Sequence, residues 1–351
     1  MKNVKYTKEY LEDLNKVTEN IPALESLKGS SILITGASGL ICSAAADILL
    51  LLNKEKSFGM TLYLAGRKRE PLLERFSIFE EGRDYNFFEY DATKTVKTAV
   101  FADYIIHGAG NADPAKISGE PVETMLANIL GLSSLISSVD KSRLKRLLYI
   151  SSSEIYGVNE TREPYVEEQL GYVDILSPRS SYPSSKRAAE TLCIAYSEEY
   201  KVDTVIVRPG HIYGPTIKQS DSRASALFSL KAAKGENIVM KSKGEQLRSY
   251  CHVLDCASAI ISVLIKGENK NAYNISAPQA VVTIREMAEA FAEAGNVEII
   301  FDVPTETERK SYNVMPCSAL NAQKLLSLGW KAEFDMKKGA LHTVRMLKEN
   351  L

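Results

Sequence analysis

Tyr182 and Lys186 stand four residues apart in Tyr182-Pro183-Ser184-Ser185-Lys186, within a stretch of helical pattern, so they share one helix face. A nearby ammonium stabilises a phenolate and draws a tyrosine pKa towards neutrality. Such a phenol can exchange a proton with a substrate hydroxyl or carbonyl while a hydride moves to or from a nicotinamide. Pairs at this spacing arise by chance on many helices, so a third group matters. Ser152, in Ile150-Ser151-Ser152-Ser153-Glu154-Ile155-Tyr156-Gly157, follows a strand-like run, and its hydroxyl could hydrogen-bond the same substrate oxygen. A serine run before a helix otherwise serves as a cap and a turn.

The pair needs a dinucleotide site beside it. Ser31–Thr35 is a short β-branched run followed at once by Gly36-Ala37-Ser38-Gly39-Leu40-Ile41-Cys42 and then by an Ala- and Leu-rich helical stretch. Glycines at such a strand–helix turn let the backbone approach a phosphate, and the N–H groups of the helix end attract it. Gly36, Ser38, Gly39, Leu40 and Ile41 are the expected pyrophosphate contacts. Cys42 stands where a third glycine usually permits close helix–strand packing, so a slightly wider packing distance is expected.

Three further places bear on the cofactor. The second strand ends in Leu64-Ala65-Gly66-Arg67-Lys68-Arg69, without the carboxylate that would read the ribose 2′-OH of NAD. Arg67 and its neighbours suit the 2′-phosphate of NADP, or are simply a solvated basic loop. Asp91, in Tyr90-Asp91-Ala92, could accept from the adenine amino group or cap the segment after it. Gly108 and Ala109 close the fourth strand and face the same crevice.

Strands at Ser31–Thr35, Thr61–Ala65, Phe87–Tyr90, Tyr104–His107, Leu147–Ser151 and Val205–Arg208 alternate with helical stretches such as Ala44–Asn53, Glu120–Val139 and Ser184–Tyr200. That rhythm predicts an α/β fold, a Rossmann-type doubly wound parallel sheet with a smaller C-terminal substrate-binding domain. Residues 1–30 read as an amphipathic helical extension, with Tyr10, Leu11, Leu14 and Val17 on one side, packed on the core or on a second copy. The expected division is 31–209 for the dinucleotide domain, with 249–275 returning to it, and 210–248 with 276–351 for substrate. Ligands would bind in the crevice outside the strands' carboxyl ends.

Together these residues resemble the extended short-chain dehydrogenase/reductases, in their NAD-dependent epimerase/dehydratase branch, over roughly 31–275. The resemblance implies that Ser152, Tyr182 and Lys186 are catalytic and that Asn128, in Ala127-Asn128-Ile129-Leu130-Gly131, supports the lysine through water. Within the family the chain looks most like UDP-glucuronate decarboxylases and related nucleotide-sugar enzymes. Ser153-Glu154-Ile155-Tyr156-Gly157, Pro178-Arg179-Ser180-Ser181-Tyr182 and Lys186-Arg187-Ala188-Ala189-Glu190 carry that likeness. It implies a catalytic Glu154, a substrate-side Ser153, and an Arg248 that meets the diphosphate or sugar. Ser153 stands where sugar 4,6-dehydratases place an Asp, which ranks 4,6-dehydration low. His211 replaces an Asn that touches the diphosphate, or is a neutral hinge residue. A homodimer paired through Glu120–Val139 and Ser184–Tyr200 is implied as well.

Composition is consistent with this reading. The 351 residues carry a net charge of −1 and 45% hydrophobic residues, so neither nucleic acid nor a membrane surface is an expected partner. The five cysteines lack metal or redox spacing, no metal is expected, and a cytoplasmic enzyme with reduced thiols is the expectation. Three functions stay open. The first is a redox-neutral epimerase or decarboxylase of a nucleoside-diphosphate sugar using NAD or NADP. The second is an NAD(P)H-dependent reductase of a nucleotide-linked keto-sugar or ketose, of the type that forms CDP-alditols. The third, a non-catalytic dinucleotide sensor, has no need of the proton relay.

Overall fold

The computed structural model describes residues 6–158, 163–302 and 317–350. Seven parallel strands form the central sheet in the order β3-β2-β1-β4-β5-β6-β10: β1 Ser31–Thr35, β2 Thr61–Gly66, β3 Asn86–Glu89, β4 Tyr104–His107, β5 Arg146–Ile150, β6 Thr204–Pro209 and β10 Asn271–Ile275. Their apolar residues alternate between the two faces, as strand geometry requires. Ile32, Ile34, Leu148, Val205 and Val207 belong to one core cluster, which includes α2 (Leu40–Lys56) and α8 (Val253–Lys266). Leu33, Ile105, Leu147, Tyr149 and Ile206 belong to a second, beneath α5 (Pro121–Ser138) and α6 (Ser181–Tyr200). Every residue of β1 is buried, as expected of a strand covered on both faces. The order reverses between β1 and β4, which puts the crevice for a ligand at their carboxyl ends.

The extension is α1 (Lys8–Glu19), and it packs on this chain's own α2 and α8. Tyr10, Leu14 and Val17 are fully buried, and the Tyr6 and Tyr10 hydroxyls donate to the two oxygens of Asp47, at 2.6 and 2.7 Å. Arg75, from α3 (Glu70–Arg75), pairs with the same carboxylate. A second tie joins the extension to α11 (Met336–Asn350). His342 Nε2 lies 3.1 Å from Asp13, and His342 Nδ1 lies 3.1 Å from His252 Nε2.

The return to the main sheet begins later than residue 249. β9 (Leu247–His252) lies in a smaller sheet with β7 (His211–Tyr213), β11 (Val281–Thr283) and β13 (Cys317–Ser318); only α8 and β10 go back. Strand β9 resembles the other strands locally, and its partners, all distant in sequence, decide the sheet it joins. In the same region, β8 (Ile238–Met240) pairs with β12 (Ile299–Phe301), and α7 (Ala224–Lys234) packs on α9 (Ile284–Gly295) and α11.

Candidate active site

The glycine turn and the loop after β4 touch through their backbones. Gly36 has φ +69°, and a Cβ there would lie 2.9 Å from Gly108 O and 3.0 Å from Ala109 N, so glycine is needed twice over. Thr35 Oγ1 accepts from Gly108 N–H at 3.2 Å and Ala109 N–H at 3.3 Å, which ties this loop to β1. Gly39 is the N-cap of α2, and no acidic residue occupies the first turn, so the helix end keeps its positive character. Gly36, Ser38, Gly39, Leu40, Ile41, Gly108 and Ala109 are all partly exposed around this crevice.

Cys42 is accommodated against a glycine on the neighbouring strand end. A Cβ added at Gly108 would overlap Cys42 Sγ and come within 3.0 Å of Ile150 Cδ1. The volume gained at residue 42 is therefore given back at residue 108. Burial pushes the Cys42 thiol up to about 12, Lys186 opposing, so it is a packing group.

At the adenosine end, Arg67, Lys68, Arg69, Glu70, Phe87 and Glu89 line an open depression of about 520 Å³. Arg69 is committed to Glu81 at 2.6 Å, whereas Arg67 and Lys68 have no carboxylate partner among the described residues. Glu70 and Glu89 bring carboxylates to the same depression. Asp91 accepts from Thr93 N–H at 3.0 Å and Thr93 Oγ1 at 2.8 Å, so it closes a turn. No helix follows it.

Ser152, Tyr182 and Lys186 come together at the carboxyl end of β5. Ser152 caps the turn Ser153–Tyr156 by accepting from Glu154 N–H at 3.2 Å, and its hydroxyl favours the ionised Tyr182 phenol. Tyr182 opens α6 and is almost wholly buried. Lys186 Nζ lies 5.8 Å from the Tyr182 ring centre and 4.7 Å from that of Tyr149, and donates to Ile150 O at 2.7 Å. The ammonium does not bring the phenol down. Burial pushes Tyr182 up to about 12, Glu154 adds to this, and Ser152, Arg179 and Arg223 oppose it. Burial also lowers Lys186 to about 8. Loss of hydration disfavours both charged forms, and here it outweighs the neighbouring groups that favour them.

Asn128 lies buried on α5. Its amide donates to Thr124 O at 3.0 Å and Ser185 Oγ at 3.1 Å, and its oxygen accepts from Tyr149 OH at 3.4 Å. It therefore pins α5 to α6 one residue short of the lysine.

Across the crevice, His211 on β7 sits 5.6 Å from the Tyr250 ring. Burial lowers it to about 4, with Arg248 and Arg223 adding to the effect, so the imidazole is neutral. Its Nδ1 is buried without a hydrogen-bond partner. Arg248 on β9 is buried beside it and donates to Leu247 O at 2.8 Å. Among the described residues, no group of three or more His, Cys, Asp or Glu could hold a metal ion. No helix among them is long and apolar enough to cross a membrane.

Two charged residues here carried no role in the sequence reading. Arg179 donates to Glu154 at 2.9 Å, and Arg223 is held by Asp221, Nε to Oδ1 at 2.9 Å. Both guanidiniums act on Tyr182. Arg179 stands in Pro178-Arg179-Ser180-Ser181-Tyr182, whereas nothing local marks Arg223.

The model of the NAD dependent epimerase/dehydratase family matches residues 32–276. UDP-glucuronic acid decarboxylase 1 of Xenopus tropicalis is 26% identical over 351 aligned residues, covering 98% of this chain and 79% of its own. A Methanobrevibacter ruminantium UDP-N-acetylglucosamine 4-epimerase structure superposes with a TM-score of 0.75 at 20% identity, over 92% of this chain and 99% of the other. The Thermus thermophilus UDP-glucose 4-epimerase, solved with NAD, gives 0.72 at 23%, over 92% and 100%. With the family pattern running from the glycine turn to the last strand of the central sheet, the chain is an enzyme of the NAD-dependent epimerase/dehydratase family, in the extended short-chain dehydrogenase/reductase superfamily.

Proposed function

We propose that this chain acts on a nucleoside-diphosphate sugar by a redox-neutral cycle of the epimerase or decarboxylase type. The observation that carries the reading is the meeting of Ser152, Tyr182 and Lys186 beside Glu154, at the mouth of the glycine-turn crevice. The crevice suits a dinucleotide, because the glycine turn leaves its backbone bare at the N-terminal end of α2, whose first turn carries no acidic residue. Gly36, Ser38, Gly39, Leu40 and Ile41 would hold the pyrophosphate, with Gly108 and Ala109 beside the nicotinamide. A bound dinucleotide supplies a reversible hydride acceptor.

The chain's own groups then handle protons. Tyr182 takes the proton of a ring hydroxyl and later returns it, with Ser152 hydrogen-bonded to the same oxygen and Lys186 stabilising the phenolate. Glu154 exchanges a proton next to the transient ketone. Arg248 and the neutral His211 face the diphosphate or sugar, with Ser153 on the same side; a planar guanidinium suits phosphate oxygens. Residues 210–248 and 276–351 supply most of that substrate side.

A second reading, net reduction with NADPH, draws on one observation. Arg67 and Lys68 lie uncommitted in the adenosine-end depression, where they suit a 2′-phosphate. Glu70 and Glu89 in the same depression weigh against it, since a carboxylate reads a 2′-OH. Nicotinamide absorbance during turnover separates the two, staying flat in a redox-neutral cycle and falling with product in a reduction.

We also propose a homodimer. Val122, Leu126 and Leu130 repeat every four residues on α5 and are exposed, as is Tyr200 on α6. Light scattering is expected to give twice the chain mass, and a monomer mass at micromolar concentration contradicts the pairing.

A further inference from the structure

Glu154 and Arg179 sit on two separate short turns that converge at the entrance to the Tyr182 phenol. Glu154 belongs to the turn Ser153–Tyr156 after β5, and Arg179 to the turn Pro178–Ser180 that feeds directly into α6. Their side chains meet at 2.9 Å, each about 40% exposed at the crevice mouth, 43% for Arg179 and 42% for Glu154. The backbone of the Glu154 turn is held by the Ser152 hydroxyl, a group that itself acts on the phenol. A carboxylate is thus fixed close to a tyrosine that must itself become negative to act as a base, and that juxtaposition is unfavourable unless the carboxylate is neutralised.

We propose that Arg179 is a positioning residue for the base: it holds the Glu154 carboxylate in a closed pair, so that Glu154 can serve the later proton transfer without suppressing ionisation of Tyr182.

The charges facing the phenol are few. Glu154 comes from the turn after β5, Arg179 from the turn before α6, Arg223 from the segment before α7, and Lys186 from α6 itself. Glu154 opposes the phenolate, while Arg179 and Arg223 favour it. Arg223 already has a counter-ion in Asp221, with Nη2 to Oδ2 at 2.5 Å, which blunts its effect. Lys186 is engaged by Ile150 O. Arg179 is therefore the cation that answers Glu154 directly, and removing it leaves a bare carboxylate beside the phenol. Arg179 has no hydrogen bond to the phenol, so its influence runs through charge and through the orientation of Glu154.

This proposal rests on Tyr182 being the base of the proposed function, and its test is chosen not to need a substrate. Protein carrying [ζ-13C]tyrosine, with the Tyr182 resonance assigned by Tyr182→Phe, is titrated from pH 6 to 11 in saturating NAD, whose cationic nicotinamide should favour the phenolate and draw its midpoint from about 12 into this window. Arg179→Ala should raise the Tyr182 midpoint by about one pH unit, the lower end of what a neighbouring charge does. The double variant Arg179→Ala/Glu154→Gln should bring it back towards wild type, and Arg179→Lys should stay close to wild type. A simple structural lesion at residue 179 has no reason to be repaired by Glu154→Gln. The proposal is overturned if the Arg179→Ala midpoint coincides with wild type, if the double variant stays with the single one, or if the wild-type phenol stays protonated to pH 11. Failure of the proposed function looks different: the titration behaves as described, yet the wild-type enzyme turns over no nucleoside-diphosphate sugar.

Discussion

Replacing Gly108 by alanine tests whether the cofactor crevice is built as described. The new methyl group would overlap Cys42 Sγ and press within 3.0 Å of Ile150 Cδ1. Neither neighbour can easily give way. Cys42 is in the first turn of a helix whose buried residues include nearly every position from 42 to 52, and Ile150 closes β5. Overpacking of this kind costs about 1–3 kcal/mol. The softer response is displacement of the loop that starts at Gly108, which Thr35 otherwise holds by two bonds. Because that loop lines the crevice, NAD affinity should fall by roughly 5- to 150-fold, the same energy written as a binding ratio. Cys42→Gly should restore affinity in the Gly108→Ala background, while by itself it costs only about 1 kcal/mol for a glycine inside a helix. Calorimetric titration of NAD into the four proteins of this cycle measures the coupling. If Gly108→Ala binds NAD as wild type does, or if Cys42→Gly fails to rescue it, the account of how Cys42 replaces the usual glycine is wrong.

Tyr182→Phe should lower turnover by roughly 10²–10⁴ with cofactor affinity kept, and Ser152→Ala should lower it with the fold intact; steady-state kinetics with circular dichroism checks both. Arg67→Ala should weaken NADPH binding more than NADH binding, as read by quenching of intrinsic fluorescence, and equal effects would mean that residue 67 faces solvent. In the extension, burial works against ionisation of Asp13, but hydrogen bonds from His342 and Lys16 hold its carboxyl down at about 2. A depressed carboxylate adds stability that is present above its unfolded pKa and is lost as pH falls through the folded one. Asp13→Asn should therefore cost on the order of 2 kcal/mol near neutral pH, and urea unfolding should show the gap narrowing below about pH 4.

The sheet could be read because it is written locally. Ser31–Thr35 is a buried run stopped by a glycine turn, the same grammar recurs at Tyr104–His107, and Leu147–Ser151 stops at a serine-capped turn. Ser152, Tyr182 and Lys186 were legible for a related reason, since each lies at a fixed distance from a strand end or a helix start. What escaped depends on partners far along the chain. Leu247–His252 looks like one more strand of the main sheet until its neighbours are known. The exchange of volume between Cys42 and Gly108 joins residues on different elements, and neither one alone signals the other. Arg179 meets Glu154 across a loop, so spacing could not announce the pair. Asn128 adds contacts that spacing does not announce. Its position on α5 was readable, but the sequence could not say that its amide would be spent on Ser185 and Thr124. The phenol of Tyr182 shows the largest gap. A lysine four residues away argues for a lowered pKa, and burial, which no spacing reveals, reverses the sign.

The central claim is a redox-neutral cycle on a nucleoside-diphosphate sugar, and one experiment bears on it most directly. The purified enzyme, supplied with catalytic NAD, is incubated with a panel of UDP-, dTDP-, CDP- and GDP-linked hexoses and hexuronates. Absorbance at 340 nm is followed alongside mass spectrometry and proton NMR of the sugar. The account predicts that at least one of them is converted to an epimer, or loses carbon dioxide, while the absorbance ends where it began, and that Tyr182→Phe slows the conversion by roughly 10²–10⁴. Product formed only with stoichiometric consumption of NAD(P)H would contradict it, as would conversion that survives Tyr182→Phe undiminished.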